Sequence, residues 1–183
     1  MNKKLIVSLS MLAVLVGLYY LNSSFQNSYK SQSKKLMNFE EKNLKKIIIQ
    51  SGEDAIEIIK KDTLWSIAGH DTLKIKDQVI KRFFDIASKI EIQNLMTSKK
   101  EKWSKYSVDD SSGVHLALVD LNNDTINYYV FGRSKTDFAR CYVRTNQENE
   151  VFLLSENIVY ALQLNPTFWG EPLQQNNGLN LEN

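Results

Sequence analysis

Few side chains in this sequence are of the kinds that bind metals or attack substrates. There are two histidines, His70 and His115, and one cysteine, Cys141. Their positions follow no zinc-ligand spacing, and no H-E-x-x-H pair occurs, so no metal centre is expected. Asp120, Asn122 and Asp124 open like a calcium loop. Thr125 then stands where the sixth-position glycine is required, so a solvated hairpin turn is the simpler reading. Ser111-Ser112-Gly113 lacks the G-x-S-x-G frame of an activated serine and reads as a loop before a strand. The seven glycines are scattered, with no phosphate-cradling or dinucleotide pattern. Composition and motifs together imply no catalytic residue and no cofactor.

Binding chemistry is the better-supported expectation. Arg133, Arg140 and Arg144 flank Gly132 and would gather at one sheet end as an anion or carboxylate contact, or else lie as solvated strand-edge cations. Phe168-Trp169 follows Pro166 and would cap the core or, if exposed, dock a partner. Trp65, Trp103 and Tyr106 are expected in the core. Cys141 lies between Arg140 and Tyr142 in a candidate strand and is expected as a half-buried thiol. As the single cysteine it excludes an internal disulfide, leaving pairing between chains as the alternative.

The elements that must position these groups begin with a targeting segment. Lys3 and Lys4 precede a 17-residue apolar run, Leu5 to Leu21, and polar Asn22-Ser23-Ser24. A spanning helix needs about 20 apolar residues with about 17 as its lower limit, longer than a signal-peptide core. Cleavage near Ser23 would put Leu21 or Asn22 where a small residue is needed, and no cysteine follows the run to carry a lipid. Residues 1–24 are therefore read as a transmembrane signal-anchor, with the N-terminus cytoplasmic and the rest extracytoplasmic at the inner membrane. The net charge of +2 comes from that segment. The remaining 159 residues carry 21 basic and 21 acidic side chains, which argues against a nucleic-acid footprint.

Residues 25–43 read as a polar stalk with a short helix around Ser33–Asn43. Residues 44–172 read as one domain and 173–183 as a disordered tail. Strands are expected at 45–50, 55–60 and 63–68, with Ser51–Asp54 as a turn. Asp77 caps an amphipathic helix to Ile90, with Val79, Ile80, Phe83, Phe84 and Ala87 on its apolar face. A strand at 91–97 and a helical turn bearing Trp103 and Tyr106 follow. Hairpins at 114–131 and 139–154 and a helix over 158–164 complete the pattern. The fold class is α+β: mostly antiparallel meanders with packed amphipathic helices, preceded by one transmembrane helix.

Several local stretches resemble domain-of-unknown-function family 4340. Ile58 to Ile67, with Trp65 and Ile67 as its W-x-I, looks like that family's strand–turn opening, and Asp77–Ile90 like its amphipathic helix. Lys105-Tyr106-Ser107-Val108 sits where the family has a Tyr-Gly-Leu-like turn, with Ser107 replacing the glycine. Val130-Phe131-Gly132, Tyr142-Val143-Arg144 and Val151-Phe152-Leu153 resemble its last hairpins. The resemblance spans about residues 44–165. It implies a membrane-anchored extracytoplasmic domain without established activity, whose relatives accompany ABC-type export or gliding-motility systems. A non-enzymatic domain binding an envelope protein, with an ABC-type transporter as candidate partner, is the leading expectation. A small-ligand or glycan-binding domain is the alternative, and an envelope hydrolase the third.

Overall fold

The computed structural model describes residues 11–12, 15–18, 34–145 and 148–173. The chain divides into two compact units, residues 1–32 and 33–183. In the first, the described residues are helical. No helix among the described residues is long and apolar enough to cross a membrane. The signal-anchor expectation concerns residues 1–24, most of which lie outside the described residues. The same holds for the tail expectation beyond Leu173.

The second unit is built on nine antiparallel strands. In chain order they are β1 (Lys34–Lys35), β2 (Leu44–Ser51), β3 (Asp54–Lys61), β4 (Leu64–Ile67), β6 (Glu91–Thr97), β7 (Val114–Asp120), β8 (Thr125–Arg133), β9 (Cys141–Thr145) and β10 (Val151–Leu154). Their order across the sheet is β1-β6-β10-β9-β8-β7-β2-β3-β4. Both expected meanders are present, and the β2–β7 pairing, with Ile47 opposite Leu118 and Ile49 opposite Leu116, fuses them into one sheet. A separate two-stranded ribbon joins β5 (Leu73–Ile75) to β11 (Gly170–Pro172).

Alternation explains which face each side chain takes. Ile47, Ile49, Ile56, Ile58, Leu116 and Leu118 are buried on the inner face, with Phe131 and Val143 from the neighbouring strands. Helix α1 (Asp77–Lys89) covers that face with Ile80, Phe83, Phe84 and Ala87, the residues its 3.6-residue period selects. Phe84 meets Trp65 at 5.5 Å and Phe39 at 5.9 Å between ring centres. Each fully buried aromatic of this kind contributes about 2–3 kcal/mol. Asp77 does not cap the helix. Lys76 holds the cap position, and Asp77 sits in the first turn, where its charge still suits the helix dipole.

The stretch read as the end of a stalk belongs to the fold. No helix forms over residues 34–43: β1 pairs with β6, and a single 3-10 turn spans Glu41–Asn43. Met37 is 2 % exposed and Phe39 packs on α1, so apolar anchoring outweighs the local helical pattern. The expected last helix is a 3-10 turn, Ile158–Ala161, followed by the four-residue helix α2 (Pro166–Trp169).

Candidate functional site

On the outer face, β7, β8 and β9 align His115, Val130 and Arg144 in one cross-strand row. The segment after β6 folds back over them as two 3-10 turns, Lys100–Lys102 and Ser104–Tyr106, burying Trp103, Tyr106 and Val108. Arg144 is 3 % exposed. Its Nε donates to the Val108 carbonyl at 2.6 Å, its terminal nitrogen donates to the Asp110 carboxylate, and its guanidinium lies 4.0 Å from the Trp103 ring centre. Such stacking and forked donation are particular to arginine. Trp103 is fixed in turn by donation from its Nε1 to the Asn149 carbonyl at 3.0 Å. His115 Nδ1 lies 2.6 Å from the Tyr128 hydroxyl and its Nε2 3.1 Å from the Asp110 carbonyl. Burial raises the Tyr128 phenol above its usual value, with Arg144 pulling the other way.

These polar groups satisfy one another. The Ser111 and Ser112 hydroxyls donate to the Asp109 carboxylate at 2.6 and 2.5 Å, and hold that acid well below the usual carboxylate range. No three His, Cys, Asp or Glu side chains among the described residues are placed to hold a metal. The arrangement can clamp the 100–113 segment onto the sheet.

The opposite side carries a groove of about 610 Å³. Val79, Phe83 and Ile86 of α1 form one wall, Phe138 and Tyr160 stand at its rim, and Phe168 lines it from α2. Phe138 is 70 % and Tyr160 56 % exposed, large aromatics in water beside an apolar cleft. The Phe138 loop is tied down. Ser134 Oγ accepts from the Asp137 amide at 3.0 Å, Arg140 Nε donates to Asp137 at 2.5 Å, and Asn157 Nδ2 donates to the Phe138 carbonyl at 3.0 Å. Arg82 and Glu156 supply the charges of the lining.

The residues singled out from sequence therefore separate. Phe168 reaches the groove. Trp169 is fully buried, with its Nε1 donating to the Gln163 carbonyl at 2.7 Å and its ring 5.9 Å from Phe83, so it has no surface to offer a partner. The three arginines do not converge on a ligand. Arg133 is exposed at the end of β8, Arg140 pairs with Asp137 and Gln93, and Arg144 is buried in the clamp. Phe138, Tyr160 and Arg82 were passed over. The readable signal was Phe138, a lone aromatic within the polar run 133–140.

Cys141 is fully buried rather than half-buried, its Sγ donating to the Glu156 carbonyl at 3.4 Å. Burial pushes its thiol up to about 12, so no reactive thiolate forms near neutral pH. Native protein at pH 8 is expected to resist iodoacetamide and to react rapidly once urea unfolds it. Equal rates in both conditions would contradict the burial.

A family model described as "Domain of unknown function (DUF4340)" matches residues 65–172. The chain belongs to this family. The DUF4340 match begins at Trp65, later than the resemblance read from sequence, and runs through β11, so it takes in α1, the clamp and every groove residue named above. No curated protein and no solved structure matches the chain.

The backbone at Ser107 has a physical cost. Ser107 has φ 54° and ψ 37°, the left-handed conformation that glycine adopts most readily. Ser107→Gly is expected to stabilise the domain by about 0.5–1 kcal/mol, seen as a higher urea midpoint at unchanged slope. A lower midpoint would contradict the strain.

Proposed function

We propose that this DUF4340 chain is a membrane-tethered, extracytoplasmic, non-enzymatic domain that docks a protein through the groove beside α1. The observation that carries the reading is the pair of exposed rim aromatics beside an apolar cleft, Phe138 on a hydrogen-bonded loop and Tyr160 on the Ile158–Ala161 turn. Aromatic anchors on a preformed surface bind with little ordering cost. The apolar run at Leu5–Leu21 supports the tether. The non-enzymatic reading is supported by Asp109, whose carboxylate is held well below its usual range and is therefore a weak base for Ser111 and Ser112, and by Cys141, whose thiol is buried. An envelope transport complex of the ABC type is the setting in which such an accessory domain fits.

A small ligand is the second reading, since about 610 Å³ falls within the range of small-molecule sites. Rim aromatics directed into solvent favour a protein occupant over an enclosed ligand. The test is crosslinking in native membranes with the full chain and with a Phe138→Ser/Tyr160→Ser variant. Both residues are exposed, so the variant should keep the wild-type fold by circular dichroism. Loss of the crosslinked species in the variant is expected; retention would contradict docking at the groove.

A further inference from the structure

The groove carries features that constrain its occupant. Arg82 and Glu156 both line it, and neither side chain has a hydrogen-bond or ion-pair partner among the described residues. An occupant that covered the groove with apolar surface alone would strip water from both charges and leave them unpaired, a heavy penalty. A suitable occupant brings an acid for Arg82, a base for Glu156 and a protruding apolar side chain for the cleft.

This same face has all three. Phe138 is the knob, 70 % exposed, the cleft is the hole, and Arg82 and Glu156 are opposite in sign. A two-fold pairing of this face would bring opposite charges, Arg82 of one copy and Glu156 of the other, onto a shared interface, with Phe138 exposed to enter the facing cleft. Such self-complementarity defines an isologous interface. We propose, building on the groove as a protein-docking surface, that its occupant is a second copy of this chain.

The test is sedimentation equilibrium of the full-length chain in detergent, with Arg82→Glu, Glu156→Arg and the double reversal. Both positions are exposed, so each variant should melt like wild type. The wild type is expected at twice its 21.1 kDa mass. Each single reversal should weaken self-association by about tenfold or more by placing like charges together, and the double reversal should restore it, because both pairs re-form with their signs exchanged. A monomeric wild type overturns the proposal, as does a dimer indifferent to both single reversals or a double reversal that fails to restore it. Groove-dependent crosslinking to a different protein, with a monomeric wild type, would sink self-pairing and leave the docking function standing. Loss of all groove-dependent crosslinking would sink the docking reading as well.

Discussion

Gly132→Ala is expected to destabilise the domain by about 3 kcal/mol, among the largest effects of any single methyl group in this chain. Gly132 is buried near the end of β8 and has no room for a side chain. An added Cβ would overlap the carbonyl oxygen of Tyr106 and crowd that of Ser107. Those atoms are backbone, so no rotamer change relieves the clash. The turn over 104–108 would have to lift, withdrawing Tyr106 and Val108 from the outer-face cluster and the Val108 carbonyl from Arg144. Gly52→Ala separates this effect from ordinary glycine strain. Gly52 has φ 62° and open space around it, so alanine there should cost about 1 kcal/mol from backbone conformation alone. Equilibrium urea unfolding would compare the two. Equal losses would contradict the close approach of β8 to the turn.

Arg144→Ala should have a similar cost, about 3 kcal/mol, and lower Tm on the order of 10 °C. Removing the guanidinium leaves the Val108 carbonyl without its donor, strips the cation from the Trp103 ring and opens a void beside Val130. Arg144→Lys should recover only part of this, since an ammonium cannot stack and fork at once. The Asp110 carboxylate is 81 % exposed, so the ion pair is open to water at that end. Asp110→Asn is therefore expected to cost no more than about 1 kcal/mol. A loss at Asp110 as large as that at Arg144 would mean that the salt bridge, rather than the stack and the carbonyl contact, holds the segment down.

Both effects depend on contacts between segments remote in sequence, and this marks how far the chain was readable. Alternation in Ile47, Ile49, Ile56 and Ile58, and the helical spacing of Ile80, Phe83, Phe84 and Ala87, are local patterns, so strands and helix were legible. Nothing local in the sequence marks Ser107 as left-handed; only the resemblance, with Ser107 in place of a glycine, pointed to that turn. The pairing of β2 with β7 was not legible, because sheet order follows from long-range packing. Met37 was missed as a core residue since Leu36, Met37 and Phe39 form too short an apolar cluster in a polar stretch to set a period. The arginines illustrate the same limit: Arg140 and Arg144 are four residues apart, yet one pairs with Asp137 and the other is sealed beneath Trp103. Trp169 beside Pro166 was readable as a core cap or as an exposed anchor, and it is enclosed by Phe83 and Phe168. Phe138, unremarked in its polar loop, became exposed only because Ser134, Asp137 and Asn157 hold that loop at the groove.

The most direct measurement places a photoreactive benzophenone side chain at position 138, and at position 123 as a control, in the full chain in native membranes. Asn123 sits at the exposed tip of the β7–β8 hairpin and is not among the groove residues. The expected result is a discrete protein adduct from position 138 and none from 123, with a mass twice that of the chain if the occupant is a second copy. Absence of an adduct at 138, or equal adducts from both positions, would contradict a docking surface at the groove.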